Sequence, residues 1–184
     1  MPKKYHFISS FNRDLLNNID NKIAIIYRNH QIKKYDSIEI LKIKNFLKTK
    51  KVKFFISNNI KLAMKLDLDG VYLSSFNKSL AHLAFSLKKK FMIIGSAHNL
   101  KQIRIKELQN TQLIFISSIF KKNKNYLGIN KFKLISNYTK KKVIALGGIN
   151  KQNLKNLKMI SSYGFAGISF FKKKGELKSP PSLK

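Results

Sequence analysis

The sequence predicts a compact α/β protein, an eight-stranded (β/α)₈ TIM barrel whose last helix is missing or degenerate. Three observations predict it: eight short β-rich apolar runs spread over the whole length, helically spaced apolar residues between most of them, and a chain of 184 residues, enough to bury one core. Strand, helix, strand repeated along a chain implies parallel strands joined by right-handed crossovers. Eight units in one domain of this size favour a closed barrel over an open sheet. Such barrels usually run to about 250 residues and rarely fall below about 200, so the loops must be minimal.

In chain order, Tyr5 to Ile8 reads as the first strand, and the segment from Asn12 to Asn21, rich in Asn and Asp, as the weakest helix. Ile23 to Tyr27 is the second strand, followed by a helix with an Ile40, Ile43, Leu47 stripe. Val52 to Ile56 is the third, followed by Ile60, Ala63 and Met64 at helical spacing; Val71 to Leu73 is the fourth. Leu80, Leu83, Ala84 and Leu87 then form the clearest helical stripe, on which His82 reads as a surface or edge residue. Phe91 to Ile94, Leu113 to Ile116 and Val143 to Leu146 are strands five to seven, and Leu154, Leu157 and Ile160 mark the next helix. Ala166 to Ser169 is the eighth strand. Residues 1–171 are thus read as one barrel domain and 172–184 as a basic tail, where Gly175, Pro180 and Pro181 oppose a closing helix. At most seven good helices are expected.

Lys and Arg total 38 against eight Asp and Glu, a formal net charge of +30. All but Arg13, Arg28 and Arg104 of these cations are lysine, whereas geometric recognition of phosphates and bases favours arginine, and no aromatics are interleaved with arginines. A specific nucleic-acid partner is therefore not expected. Cysteine is absent, which excludes a disulfide framework, a thiolate nucleophile and Cys-based metal sites. No apolar run approaches the roughly 18 residues of a membrane span and none follows the N-terminus as in a signal peptide, so a cytoplasmic protein is expected. Three lysine clusters, 48–53, 88–90 and 140–142, precede the third, fifth and seventh strands and fall at the N-terminal end of the barrel. Lys121, Lys122, Lys124 and Lys151 fall at the C-terminal rim, better placed to attract an anion.

A parallel barrel places its site on the βα loops at the strands' C-terminal ends. After the seventh strand comes Gly147-Gly148, then Ile149 and Asn150, a candidate helix cap. Glycines let backbone N–H groups approach a phosphate, which a following helix N-terminus would also attract; a tight turn would need the same glycines. The loop after the eighth strand, with Ser169, is the expected partner of this phosphate site. After the fifth strand, Ser96-Ala97-His98-Asn99 puts an imidazole at the mouth, where it could exchange a proton near neutral pH.

The succession Phe55-Ile56-Ser57-Asn58, Asp69-Gly70-Val71-Tyr72-Leu73, Ser96-Ala97-His98-Asn99, Ala145-Leu146-Gly147-Gly148-Ile149 and Gly164-Phe165-Ala166-Gly167-Ile168-Ser169 resembles the thiamine phosphate synthase/TenI family over roughly residues 23 to 170. The resemblance implies a barrel of thiamine biosynthesis that binds a thiazole phosphate. Synthases of the family couple it to a pyrimidine pyrophosphate with Mg²⁺; the TenI branch includes a metal-independent thiazole tautomerase. Carried over by position, the phosphate loop is retained at Gly147, Gly148 and Ser169, and Arg28 falls where the synthases place a pyrophosphate-binding arginine. The glutamine and lysine that flank it there are Ile26 and His30 here. Lys124 stands near a lysine expected after the sixth strand. Both Mg²⁺ carboxylates are replaced by amides, Asn58 and Asn77, and a neutral amide oxygen is a poor ligand for so hard a cation.

The resemblance therefore implies a TenI-like protein with no cofactor, using Mg²⁺ only as a synthase. In it His98 shuttles the proton, Ser96 and Asn58 orient the ring, and no residue holds a metal. Two alternatives stay open, the family's coupling reaction and a barrel that binds a phosphorylated ligand without catalysis. Self-association into a homo-oligomer is also left open.

Overall fold

The computed structural model describes residues 3–29, 31, 35–168 and 170. Eight parallel strands close in sequence order, β1 (Lys4–Ile8), β2 (Ile23–Tyr27), β3 (Phe54–Ser57), β4 (Gly70–Leu73), β5 (Met92–Ala97), β6 (Leu113–Ser117), β7 (Lys142–Leu146) and β8 (Gly164–Gly167), with β1 pairing both β2 and β8. The compact (β/α)₈ barrel read from the sequence is the fold observed. The eighth strand starts two residues earlier than expected because Phe165 N–H donates to the Lys3 carbonyl, while Gly164 passes so close to Lys3 that a Cβ there would sit 1.9 Å from the same oxygen. The basic tail, residues 172–184, lies outside the described residues.

Among the described residues the crossovers carry five α-helices, α1 (Arg13–Asn17), α2 (Ser37–Thr49), α3 (Ile60–Lys65), α4 (Leu100–Leu108) and α5 (Gly128–Ser136), and two 3₁₀ turns, Ala81–Ala84 and Leu154–Met159. Helix α2 follows its pattern: Asp36 caps it through Ile38 N–H, and Ile40, Ile43 and Leu47 are fully buried. The weak segment condenses to the five-residue α1, which buries only Leu16.

The clearest predicted helix does not form. Leu80 and Leu83 are 45% and 52% exposed, and the residue between them that faces inward is His82, 3% exposed, with Nε2 2.9 Å from the Gln109 carbonyl. The expectation that His82 is a surface residue is therefore corrected, and with it the stripe. Local polar bonds decide the path: Asn77 Oδ1 accepts from Ser79 N–H, Ser79 Oγ from Ala81 N–H, and the chain turns extended at Phe85. These bonds compete with helix propagation in a short segment that packs no apolar face.

Twelve buried residues fill the barrel interior. Phe115 lies at their centre, edge-on to Tyr5, Tyr72 and Phe7 at centroid distances of 4.9, 5.5 and 6.3 Å. Two further apolar clusters cement the strands to the surrounding helices. The lysine clusters lie where expected. Lys44, Lys48, Lys51, Lys53 and Lys88 ring a cavity of about 410 Å³ with Asp67 and Asp69 at the strands' N-terminal end, where Lys88 pairs with Asp67 and holds that carboxyl below its usual range.

Phe115→Ala is expected to cost about 3–5 kcal/mol in urea denaturation, because three aromatic partners cannot collapse into the void. Leu83→Ala is expected to stay within about 0.5 kcal/mol; a large loss there would restore the amphipathic helix.

Candidate active site

The loops after β3 and β4 meet through amides. Asn58 adopts a left-handed backbone, φ 58°, that turns its side chain toward the next loop. Its Oδ1 accepts from Ser74 N–H at 2.9 Å and from Asn77 Nδ2 at 3.2 Å, while its Nδ2 donates to Ser74 Oγ at 2.6 Å. Two carboxylates could not make this arrangement, since neither could donate. A cleft of about 230 Å³ opens beside the pair, walled in part by Asn59, Lys61, Leu73 and Phe85.

At the end of β2 the Arg28 guanidinium stacks 4.6 Å from the Phe7 ring centroid. With Ser96 it faces the Tyr72 hydroxyl, whose pKa burial raises against the influence of both. Ser96 is buried on β5. The structure thus brings Arg28 and Ser96 together on a tyrosine that sequence reading did not single out. His98, two residues beyond, is partly buried. Its Nδ1 lies 2.8 Å from the Ser117 carbonyl oxygen and 3.0 Å from Ser117 Oγ, and its N–H donates to Gln102 Oε1. A ring nitrogen facing a carbonyl must carry the proton, so in the neutral imidazole Nε2 is the proton acceptor.

Gly147 and Gly148 have φ of 104° and 76°. A Cβ at Gly147 would sit 2.4 Å from Ser118 Oγ, and one at Gly148 2.5 Å from Lys121 N. Packing therefore already demands glycine at both positions, because the loop after β6 bonds directly onto this turn: Ile119 N–H donates to Leu146 O, Phe120 N–H to Gly147 O. The expected helix start capped by Asn150 is corrected. Asn150 and Asn153 exchange backbone-to-side-chain bonds of 2.9 and 3.0 Å, and only a six-residue 3₁₀ turn follows at Leu154, so no α-helix N-terminus faces the glycines. Gly148 is exposed. Lys124 is also exposed, in the loop after β6, and among the described residues no hydrogen bond joins it to the other expected site residues. Ser169 and His30 lie outside the described residues.

Sequence reading also missed Lys106. It is fully buried in α4, with Nζ 2.8 Å from each of Ser74 O, Asn77 O and Gln109 Oε1. Gln109, also fully buried, donates to Asn77 O and Ser79 O. The available signal was a lysine three residues after the buried Ile103, on the helix face that should be apolar. Burial pushes its pKa down to about 8. Among the described residues no group of three or more His, Asp or Glu side chains could hold a metal.

A family model described as thiamine monophosphate synthase matches residues 10–171. The chain is 28% identical over 120 residues to a thiamine-phosphate synthase of Methanococcus vannielii, covering 63% of this chain and 58% of that protein. It is 31% identical over 133 residues to one of Fusobacterium nucleatum, covering 70% and 65%. The matched stretch thus spans less than two thirds of either relative's length. A thiamine phosphate pyrophosphorylase from Pyrococcus furiosus superposes with a TM-score of 0.71 at 21% identity, over 91% of this chain and 85% of that one, a likeness of fold.

The buried ammonium gives a pH test. Its folded pKa of about 8 lies below the ordinary 10.5, so between these values the unfolded chain holds more protons and stability rises with pH. Above about pH 10 the partly buried Tyr35 and the buried Tyr72, whose pKa values are raised, reverse the trend. Urea denaturation from pH 7 to 10 should show the rise in the parent and not in Lys106→Met; a flat parent profile would refute the displaced ammonium.

Proposed function

We propose, because the chain belongs to the thiamine monophosphate synthase family, that it binds a thiazole phosphate at the C-terminal mouth of the barrel and moves a proton on the thiazole without a metal ion. The observation that carries this reading is the amide pair. At both positions where the family resemblance places Mg²⁺ carboxylates, this chain has asparagines that satisfy each other and Ser74 through hydrogen bonds. Neutral amides already bonded to one another do not fit a Mg²⁺ cage, and no step is routed through the metal.

The chemistry then falls to side chains. His98 Nε2 takes a proton from the ring, Ser117 O accepting from Nδ1–H steadies the imidazolium, and the proton returns at another ring position, so no atom is gained or lost. Ser96 and Asn58 orient the ring. Arg28, the exposed Gly148 backbone, Lys124 and the Ser169 loop attract the phosphate. The synthase reaction is kept as a second reading because the relatives that the chain matches are named for it.

His98→Asn should lower tautomer turnover about 10² to 10⁴-fold while calorimetric affinity for the thiazole phosphate survives; equal turnover in variant and parent would clear His98. Product formation from pyrimidine pyrophosphate and thiazole phosphate should not respond to Mg²⁺ or to chelator. Robust Mg²⁺-dependent coupling would establish the synthase reading. The thermal midpoint of an Asn58→Asp, Asn77→Asp double variant should become Mg²⁺-dependent, unlike that of the parent. Gly148→Val is unsuited to testing phosphate binding, since its side chain would meet the Lys121 backbone whether or not an anion binds.

A further inference from the structure

Lys106 is an expensive residue for its location. Its ammonium is wholly buried, and among the described residues no carboxylate pairs with it; the nearby Glu107 instead takes Arg104 and Thr139. An apolar side chain of similar volume would ordinarily stabilise such a position as well or better. What only an ammonium supplies here is three donors aimed in three directions, and all three are used, on Ser74 O, Asn77 O and Gln109 Oε1. The strand beside it is shaped to let the side chain through: a Cβ on Gly95 would lie 2.7 Å from Lys106 Cδ.

The loop that receives these bonds has two sides. Behind it, Lys106 and Gln109 draw the carbonyls of Ser74, Asn77 and Ser79 inward. In front, Ser74 N–H, Ser74 Oγ and Asn77 Nδ2 meet Asn58. The two sets of bonds act on the same residues, so the position of the ammonium fixes the front of the loop. This is also one of the two described crossovers that carry a 3₁₀ turn in place of an α-helix, so no apolar helix face holds the loop instead.

We propose that Lys106 is a positioning residue, a buried ammonium that sets the loop after β4 and thereby the Asn58–Asn77 amide pair at the mouth. As a statement about ligand recognition this rests on the thiazole phosphate reading above; as a statement about the amide pair it does not.

The experiment exploits the absence of cysteine from the chain. Lys106→Cys, alkylated in denaturant with bromoethylamine and refolded, regains an ammonium at nearly the original distance, and Lys106→Met removes it. The side-chain amide NMR signals of Asn58 and Asn77 are followed in each protein, together with affinities for inorganic phosphate and for thiazole phosphate. Lys106→Met should shift both amide signals and weaken thiazole phosphate at least about tenfold, with inorganic phosphate within about twofold; the aminoethylated protein should recover the parent values. Unshifted amide signals in a folded Lys106→Met protein would overturn the proposal, as would equal loss of both affinities or failure of the aminoethyl group to restore them. If Lys106→Met does not fold, Gln109→Leu, which removes the donors to Asn77 O and Ser79 O, is judged by the same criteria. A parent that does not bind thiazole phosphate would refute the proposed function, and the amide signals alone would then decide the role of Lys106.

Discussion

Barrel closure in a short chain is the constraint on which the other features depend. β1 must pair with both β2 and β8, so eight strands have to be returned to the same end of the barrel within the described residues. A parallel strand cannot be followed by a tight hairpin; each crossover has to travel the length of the sheet. Two of the crossovers manage it with 3₁₀ turns where a helix is usual. Such turns leave carbonyls that a helix would have satisfied internally, and buried carbonyls need donors. Lys106 and Gln109 provide them after β4, and the loop after β6 packs into the Gly147–Gly148 turn after β7.

The distribution of charge follows a similar logic. Acidic residues are few, and most of those described have structural tasks: Asp36 caps α2, Asp69 accepts from Phe54 N–H, and Glu39 joins Phe11 N–H to the Tyr27 hydroxyl. Among the described residues none is hydrogen-bonded to an expected site residue. Among the described residues the mouth is accordingly built from amides, hydroxyls, the His98 imidazole and Arg28, with lysines on the rim, while Asp67 and Asp69 stand among the lysines at the opposite end. An anionic ligand is the natural counterpart of a mouth of this composition.

Much of the candidate site could be read from the chain because loops of a barrel have fixed places. Once the strand order is known, Asn58, His98 and Gly147 must fall at one end, and the tandem glycines after β7 announce a turn that only glycine tolerates. The purpose of those glycines could not be read in the same way, because the Ser118 and Lys121 atoms that exclude a Cβ come from a loop almost thirty residues earlier. His82 and Lys106 were misread or missed for a related reason: polar residues on an apolar stripe look like surface positions until the distant Gln109 and Asn77 are seen to partner them.

The sequence by itself determined the barrel, since the alternation of β-rich runs with helical stripes is a local property and parallel closure is almost the only way to bury it. Tertiary structure alone decided how the short crossovers are held, which tautomer His98 adopts, and that two asparagines 19 residues apart share a hydrogen bond. The physical reason is that a hydrogen bond depends on separation and angle to within a few tenths of an ångström, and no pattern of residue types along a chain carries that information across a sheet.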